Sequence, residues 1–431
     1  MAPVGLRELL ALPTTTERHF MIDRYTCGHI KAIWSEEHKY EIWRVVEIEI
    51  AKAQAEFDQI PAAVPRRLAD TKAPNTRQVA KYEAELKHDV LAFLAAWRDN
   101  IRDKEAKRWL HYGLTSSDVV DTAQALLIRQ STVHLLVNSS QLALQLRDHA
   151  IEHWDTIRAG RTHGQNAEPT TWGYRVADFV FALVRANNRI ANATESLGVV
   201  HVSGPLGNYA HTPPEVEQRV AVVLGLKTPA SATQIIMRDR LGEWAYSLAA
   251  FATVCEAFAL EIRHSARSEV SEAFEGTTKG QKGSSSMPHK VNPVTAEKIC
   301  GLAKLARSYV MPLTEGVAVW HERDISHSSV ERVAVVDLLA VTDHIAESMI
   351  SLVGGLVVDK ERMAFHAETQ GTAATLLKLV RKGTDRDEAY RQVREMAVED
   401  LEDCPPARVD HVKEMLEKMF NDTPESDNLT A

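Results

Sequence analysis

Lys279 to Pro293 combines two glycines, three consecutive serines, three lysines and His289 in fifteen residues. Such a mixture suits a lid that closes over an anionic substrate, although the glycines and serines alone would also fit a solvated turn. No G-x-x-x-x-G-K-[ST] pattern can be aligned with it, so it is not a Walker phosphate loop. Three other segments place reactive side chains beside turn residues: HYGLTSSD (His111 to Asp118), GRTHGQNAEPTT (Gly160 to Thr171) and WHERDISHSS (Trp320 to Ser329). A histidine with an unperturbed pKa of about 6.5 can act as acid or base near neutrality. Arginine forks match phosphate geometry. The chemistry that fits is proton transfer on a small anion.

These loops need a scaffold, and the scaffold reads as helical. Ile42, Val45, Val46, Ile50, Ala53 and Phe57 recur at helical spacing, as do Leu241, Trp244, Leu248, Phe251, Cys255, Phe258 and Ile262. The second stripe lies in a stretch from Asp239 to Phe274 that holds one glycine and no proline, a helix of about 50 Å at 1.5 Å per residue. Further long helices are expected over Asp118 to Asp155, Pro169 to Leu197, Pro293 to Leu313 and Ser328 to Val353. No alternating apolar pattern competes as a sheet, and no repeat suggests a solenoid. The fold class is all-α, with stripes longer than one protomer can cover, so self-association through the bundle is expected. Each chemistry-bearing loop leads into a long helix. Thr115 with Asp118 reads as a capping pair, and Pro169 and Pro293 suit first helical turns. Helix N-termini offer N–H groups to carboxylates and phosphates.

Composition bounds the function. At 431 residues and 45% hydrophobic content the chain can bury a large core, and a net charge of −9 argues against nucleic acid as partner. The four cysteines lie far apart, suggesting neither a zinc site nor a disulfide framework and fitting a reducing cytoplasm. The LRELLALP stretch near the start is charged and short, so no signal or membrane span is read there.

GSSSMPHKVNP, Gly283 to Pro293, resembles the signature G-S-S-x-M-P-x-K-x-N-P of the fumarase, aspartase and argininosuccinate lyase superfamily at every fixed position. I-D-R-Y (Ile22 to Tyr25), K-H-D-V (Lys87 to Val90) and H-E-R-D-I-S-H-S-S-x-E-R (His321 to Arg332) resemble its adenylosuccinate-cleaving branch, and the likeness runs from about Met21 to about residue 400. The resemblance implies a three-domain fumarase-like fold: an extension over 1–20, a helical domain over 21–114, a long-helix bundle over 115–360 and a helical domain over 361–431. It implies a cytoplasmic homotetramer with shared sites. It also implies β-elimination of fumarate from adenylosuccinate, and from the succinylated aminoimidazole carboxamide ribotide, without metal or redox cofactor.

The same resemblance implies the roles. Ser284 would be the base at the succinyl Cβ, or Ser284 and Ser285 would both hold a carboxylate. His163 would be the acid at the leaving nitrogen, with His88 assisting it and Glu297 orienting it or another site group. Lys290 and Asn292 would stabilise the aci-carboxylate, with Thr115 and Ser116 near the succinyl carboxylates and His111 near the phosphate. Arg24, Tyr25, Arg323, Ser328 and Arg332 would hold the nucleotide, Gln234 the base or succinyl end, and Lys87, Asp89 and Thr162 would also bind substrate. Arg323 and Arg332 could equally pair with Glu322, Asp324 or Glu331 as a surface network. Lys87 and Lys298 stand where relatives carry arginine, and the acidic ending lacks the tyrosines expected of bacterial relatives. A cycloisomerase or ammonia lyase would need no phosphate site, a helical scaffold would need neither Ser284 nor His163, and a metal hydrolase would need ligand-spaced histidines that are absent.

Overall fold

Wherever the apolar stripes run on without glycine or proline, the chain is helical. A computed structural model describes residues 23–277, 287, 289–368, 371–402, 405–406 and 409–419. The order begins with α1 (Gly28–Ile33), α2 (Glu36–Glu56), α3 (Val64–Ala69), α4 (Thr76–Leu86), α5 (Asp89–Asn100) and α6 (Lys104–Trp109). The longer elements follow: α7 (Ser116–Glu152), β1 (Ile157–Thr162), β2 (Gln165–Thr171), α8 (Trp172–Leu197), α9 (Pro214–Leu224) and α10 (Asp239–Ser265). Then come β3 (Ala273–Glu275), α11 (Val294–Ser308), α12 (Val310–Glu315), α13 (Ser326–Gly354) and β4 (Leu356–Val358). The chain closes on α14 (Lys360–Ala367), α15 (Thr372–Arg381), α16 (Arg386–Glu395) and α17 (Asp410–Lys418).

The bundle is α7, α8, α10, α11 and α13, packed on one another. Trp172, Trp244, Phe251, Phe258, Ile128 and Leu135 fill it and are almost wholly buried, each contributing roughly 1.5–3 kcal/mol of transfer free energy. The early helices have their own aromatic knot, in which the Trp43 and Phe93 rings meet edge to face at 5.4 Å. α10 is apolar and long enough to cross a membrane by composition, but 56% of its most apolar window is buried among neighbouring helices, as a core helix requires. The long helices also turn large apolar side chains outward: Val137, Tyr246 and Val333 are each more than half exposed.

Three expectations about elements need correction. The helix read over Asp239 to Phe274 stops at Ser265; the chain beyond it turns, with Ser271 at φ 55°, and carries Glu272 to Arg161 and His366. The stretch from Pro293 to Leu313 is two helices, with Tyr309 between them. The loop read over Gly160 to Thr171 is a β-hairpin, and Pro169 lies in β2 opposite Ala159, next to a register shift between Ala159 and Arg161. A proline has no N–H for a ladder, so a bulge is where a strand tolerates it. Pro293 sits one residue before α11 rather than inside its first turn.

Candidate active site

The R-T-H-G segment is built as a turn. Thr162 pairs with Gln165, leaving His163 and Gly164 as a two-residue hairpin loop with φ 53° and 76°, the signs of a type I′ turn. Gly164 supplies its positive φ at no steric cost, whereas His163 is a non-glycine residue in the left-handed region. Gly160 is required for a different reason: a Cβ there would stand 2.6 Å from the Glu168 carbonyl oxygen. The strands are braced from behind. Arg161 donates from both terminal nitrogens to the buried Glu272 carboxylate at 2.7 and 2.5 Å, and His366 Nδ1 lies 2.7 Å from the same group. Arg158 and Arg175 both bond Glu261. Arg158, Arg161, Arg175 and Glu261 line a cleft of 1420 Å³ together with Thr162 and Gly164 of the hairpin, while the His163 and Thr162 residues at the tip are exposed.

The start of α7 carries a second arrangement. The Asp118 carboxylate accepts the Thr115 N–H at 2.7 Å, the expected capping contact. Its other oxygen accepts the Ser203 and Gly204 N–H groups and lies 2.9 Å from His201 Nδ1. Ser116 opens the helix and is half-buried. One turn on, Asp121 forms a fork with Arg238, which also donates to Glu331. Burial would lower the Arg238 pKa, but Asp121 and then Glu331 outweigh it and hold the guanidinium firmly charged. His111 Nδ1 lies 2.6 Å from Glu47. Burial opposes its charge, yet Glu47 and then Asp118 raise its pKa above the ordinary histidine value.

The arginines of the H-E-R-D segment find specific partners. Asp324 is occupied with its own loop, accepting from Trp320 N at 2.7 Å and Ser326 N at 2.8 Å. The Ser326 side chain and these N–H groups pull it down to about 2. Arg323 therefore reaches Gln234 at 3.0 Å, and Gln234 in turn donates to the Pro205 carbonyl. Glu331 belongs to Arg238, so Arg332 bonds Asp89 and Ser328 instead. Asp89, Ser328 and Arg332 line one pocket with Trp34 and Trp43. Burial would raise the Asp89 carboxyl, but Arg332 and the Val90 N–H more than offset it. The surface-network alternative fails for both arginines.

His88 caps α5 through Nδ1 and is exposed, and Lys87 before it takes φ 53°. Tyr25 packs against the His344 ring at 5.4 Å. Burial and then nearby Arg24 lower the Lys298 pKa, and Lys298 in turn acts on His344, so Arg24, Tyr25, Lys298 and His344 lie near one another. Ser284 and Ser285 lie outside the described residues. Their loop is anchored at both ends by one carboxylate: Glu275, just before it, accepts from Thr295 N at 3.1 Å and Ala296 N at 2.6 Å, just after it. The first N–H groups of α11 are thus already taken. Lys290 is exposed, Asn292 half-buried, and Glu297 exposed on the first turn of α11.

One chain brings together Asp89, Ser328 and Arg332, Arg323 and Gln234, and Thr115 and Asp118. Among the described residues no hydrogen bond or ion pair links His163 to His88 or Glu297. Sequence reasoning missed Asp121, His201, Arg238 and Glu331 as partners. The only signal was that Asp121 and Glu331 interrupt otherwise apolar helix faces.

A family described as Lyase matches residues 29–307. The chain is 42% identical over 385 residues to the adenylosuccinate lyase of Aquifex aeolicus, covering 88% of each. It is 40% identical over 378 residues to that of Synechocystis sp., covering 87% of each. Among solved structures it is similar to a fumarate lyase from Mesorhizobium sp. BNC1, with TM-score 0.77 and 25% identity over 86% of this chain and 85% of that one.

Proposed function

The chain belongs to the adenylosuccinate lyase family of the fumarase superfamily, and from that membership we propose how its residues divide the reaction. The activity is β-elimination of fumarate from adenylosuccinate, leaving AMP. Ser284 removes the succinyl Cβ proton, the Cβ=Cα double bond forms as the C–N bond breaks, and His163 protonates the departing purine nitrogen. The dianionic aci-carboxylate formed on the way needs donors already in place. Lys290 and Asn292 supply them from the lid, with Thr115, Ser116 and Thr162 on the carboxylates. Arg24, Tyr25, Lys87, Arg323, Ser328 and Arg332 take the nucleotide, beside His111. His88 assists His163, and Ser285 holds a carboxylate. The succinylated aminoimidazole carboxamide ribotide is the second substrate, and the cytoplasm the site of action.

The observation that carries the reading is the 42% identity sustained over 88% of both chains. Loss of the adenylosuccinate absorbance band, with equal appearance of AMP and fumarate, is the expected result with purified enzyme. Substrate left intact while a different carboxylate is turned over overturns it.

The same proposal extends to assembly. His163 stands exposed on a braced hairpin with neither His88 nor Glu297 beside it, and the long helices present Val137, Tyr246 and Val333 outward. Both features fit a homotetramer whose sites combine the Thr115 loop, the His163 hairpin and the Ser284 lid from three subunits. Inactive His163→Ala and Ser284→Ala proteins, dissociated and reassociated together, then regain part of the activity. Mixed tetramers that form and stay inactive, or a fully active monomer in sedimentation, reject shared sites.

A further inference from the structure

A cluster of metal-ligating side chains lies where α1 crosses α13, outside the groups given roles above. His29, Asp343 and Glu347 bring three donor atoms within 4.8 Å of one another, and Cys27, His344 and Glu347 do the same. Asp343 and Glu347 are four apart on α13 and share a face. The Asp343 side chain is wholly buried, and Asn138 bonds only its Oδ1, at 3.1 Å. Its Oδ2 stands 2.9 Å from His29 Nε2, yet neither atom has a hydrogen bond of sound geometry among the described residues, and His344 Nε2 lacks one too. Orphaned buried polar atoms are costly, and several of them aimed at one spot call for a shared partner.

The charge balance points the same way. One thiol and two carboxyls meet the His29 and His344 imidazoles in the same cluster. A dication would satisfy all of them. Imidazole, thiolate and carboxylate together suit a borderline-soft ion that accepts four-coordination. The ligands come from opposite ends of the chain, so no spacing pattern marks them in the sequence.

We propose that this cluster binds one divalent ion of the zinc class per chain through His29, Asp343, Glu347 and the Cys27 thiolate, pinning α1 to α13. The ion has no step in the elimination. It ties down the segment that follows Arg24 and Tyr25, whose ring rests on His344.

The test uses full-length protein freed of metal by a chelator and titrated with zinc, then with cobalt. Saturable uptake of one ion per chain is expected, and the cobalt form should show a thiolate charge-transfer absorption that Cys27→Ser abolishes. Glu347→Gln, at an exposed position, should weaken zinc binding at least about tenfold with an unchanged circular dichroism spectrum. His29→Gln should do likewise. Uptake that never saturates at one per chain, or that survives both substitutions unweakened, overturns the site. A cobalt spectrum without a thiolate band removes Cys27 from it.

Discussion

The start of α7 and the tip of the β1–β2 hairpin both carry residues placed in the reaction, and they are built in opposite ways. At α7, Asp118 with His201, and Asp121 and Glu331 with Arg238, are buried and paired within the chain. At the hairpin, the pairing is all behind the strands, in Arg161–Glu272 and Arg158–Glu261, and the reactive residue stands in solvent. Buried, paired charges fix positions but are costly to change. An exposed side chain on a stiff turn contributes little to stability and can be presented elsewhere. Substitutions in the two regions should therefore separate activity from stability.

The largest effects are expected where the comparison predicts no loss of fold. His163→Gln should lower kcat by about 10²–10⁴, the range for a lost general acid, with KM and melting temperature nearly unchanged. Ser284→Ala should lower kcat by several orders of magnitude and spare KM, since a base acts mainly on the transition state, while Ser285→Ala is milder. Steady-state kinetics beside a thermal melt decides both. A loss confined to KM makes Ser284 a carboxylate contact, and a His163→Gln protein that melts early removes the contrast between the regions.

Next in size are changes to the α7 network, where stability should suffer first. Arg238→Met leaves Asp121 and Glu331 buried without their shared cation and should cost roughly 3–5 kcal/mol. Urea unfolding measures it, and a loss below about 1 kcal/mol would show the network to be solvated. This region also shows how far the sequence could be read. The long helices and the Thr115–Asp118 cap were legible, because periodicity and capping are local signals. The hairpin was not, since its strands are short, polar and marked only by the His-Gly turn. The Asp121–Arg238–Glu331 bridge joins residues more than ninety positions apart, and no local pattern encodes such pairing.

Smaller still is the effect of the turn. Gly164→Val forces a β-branched residue to φ 76°, a strain of roughly 1–3 kcal/mol. The hairpin should relieve it by tilting His163, so kcat falls more than the melting temperature does. Gly164→Asn, which tolerates the left-handed region, should restore most of the activity. Equal impairment by both substitutions would mean that the turn conformation does not position His163.

Comparable in size is a pH dependence confined to one of the two regions. His111 beside Glu47 has a folded pKa raised above its unfolded value. Its contribution is thus fully present below the unfolded pKa of about 6.5 and is lost as pH rises through the folded value. Glu47→Gln removes the partner that sustains that charge, and should cost about 1.5–3 kcal/mol at pH 6 or below, the range for a hydrogen bond to a charged group. The deficit relative to the parent should shrink as the pH is raised, because the parent then loses the same imidazolium. The His163 hairpin has no part in this pair, so His163→Gln should leave the stability profile parallel to the parent at every pH. Unfolding free energies collected across pH 5.5 to 9 separate the outcomes. A Glu47→Gln deficit that stays constant across that range means His111 is neutral in the folded chain.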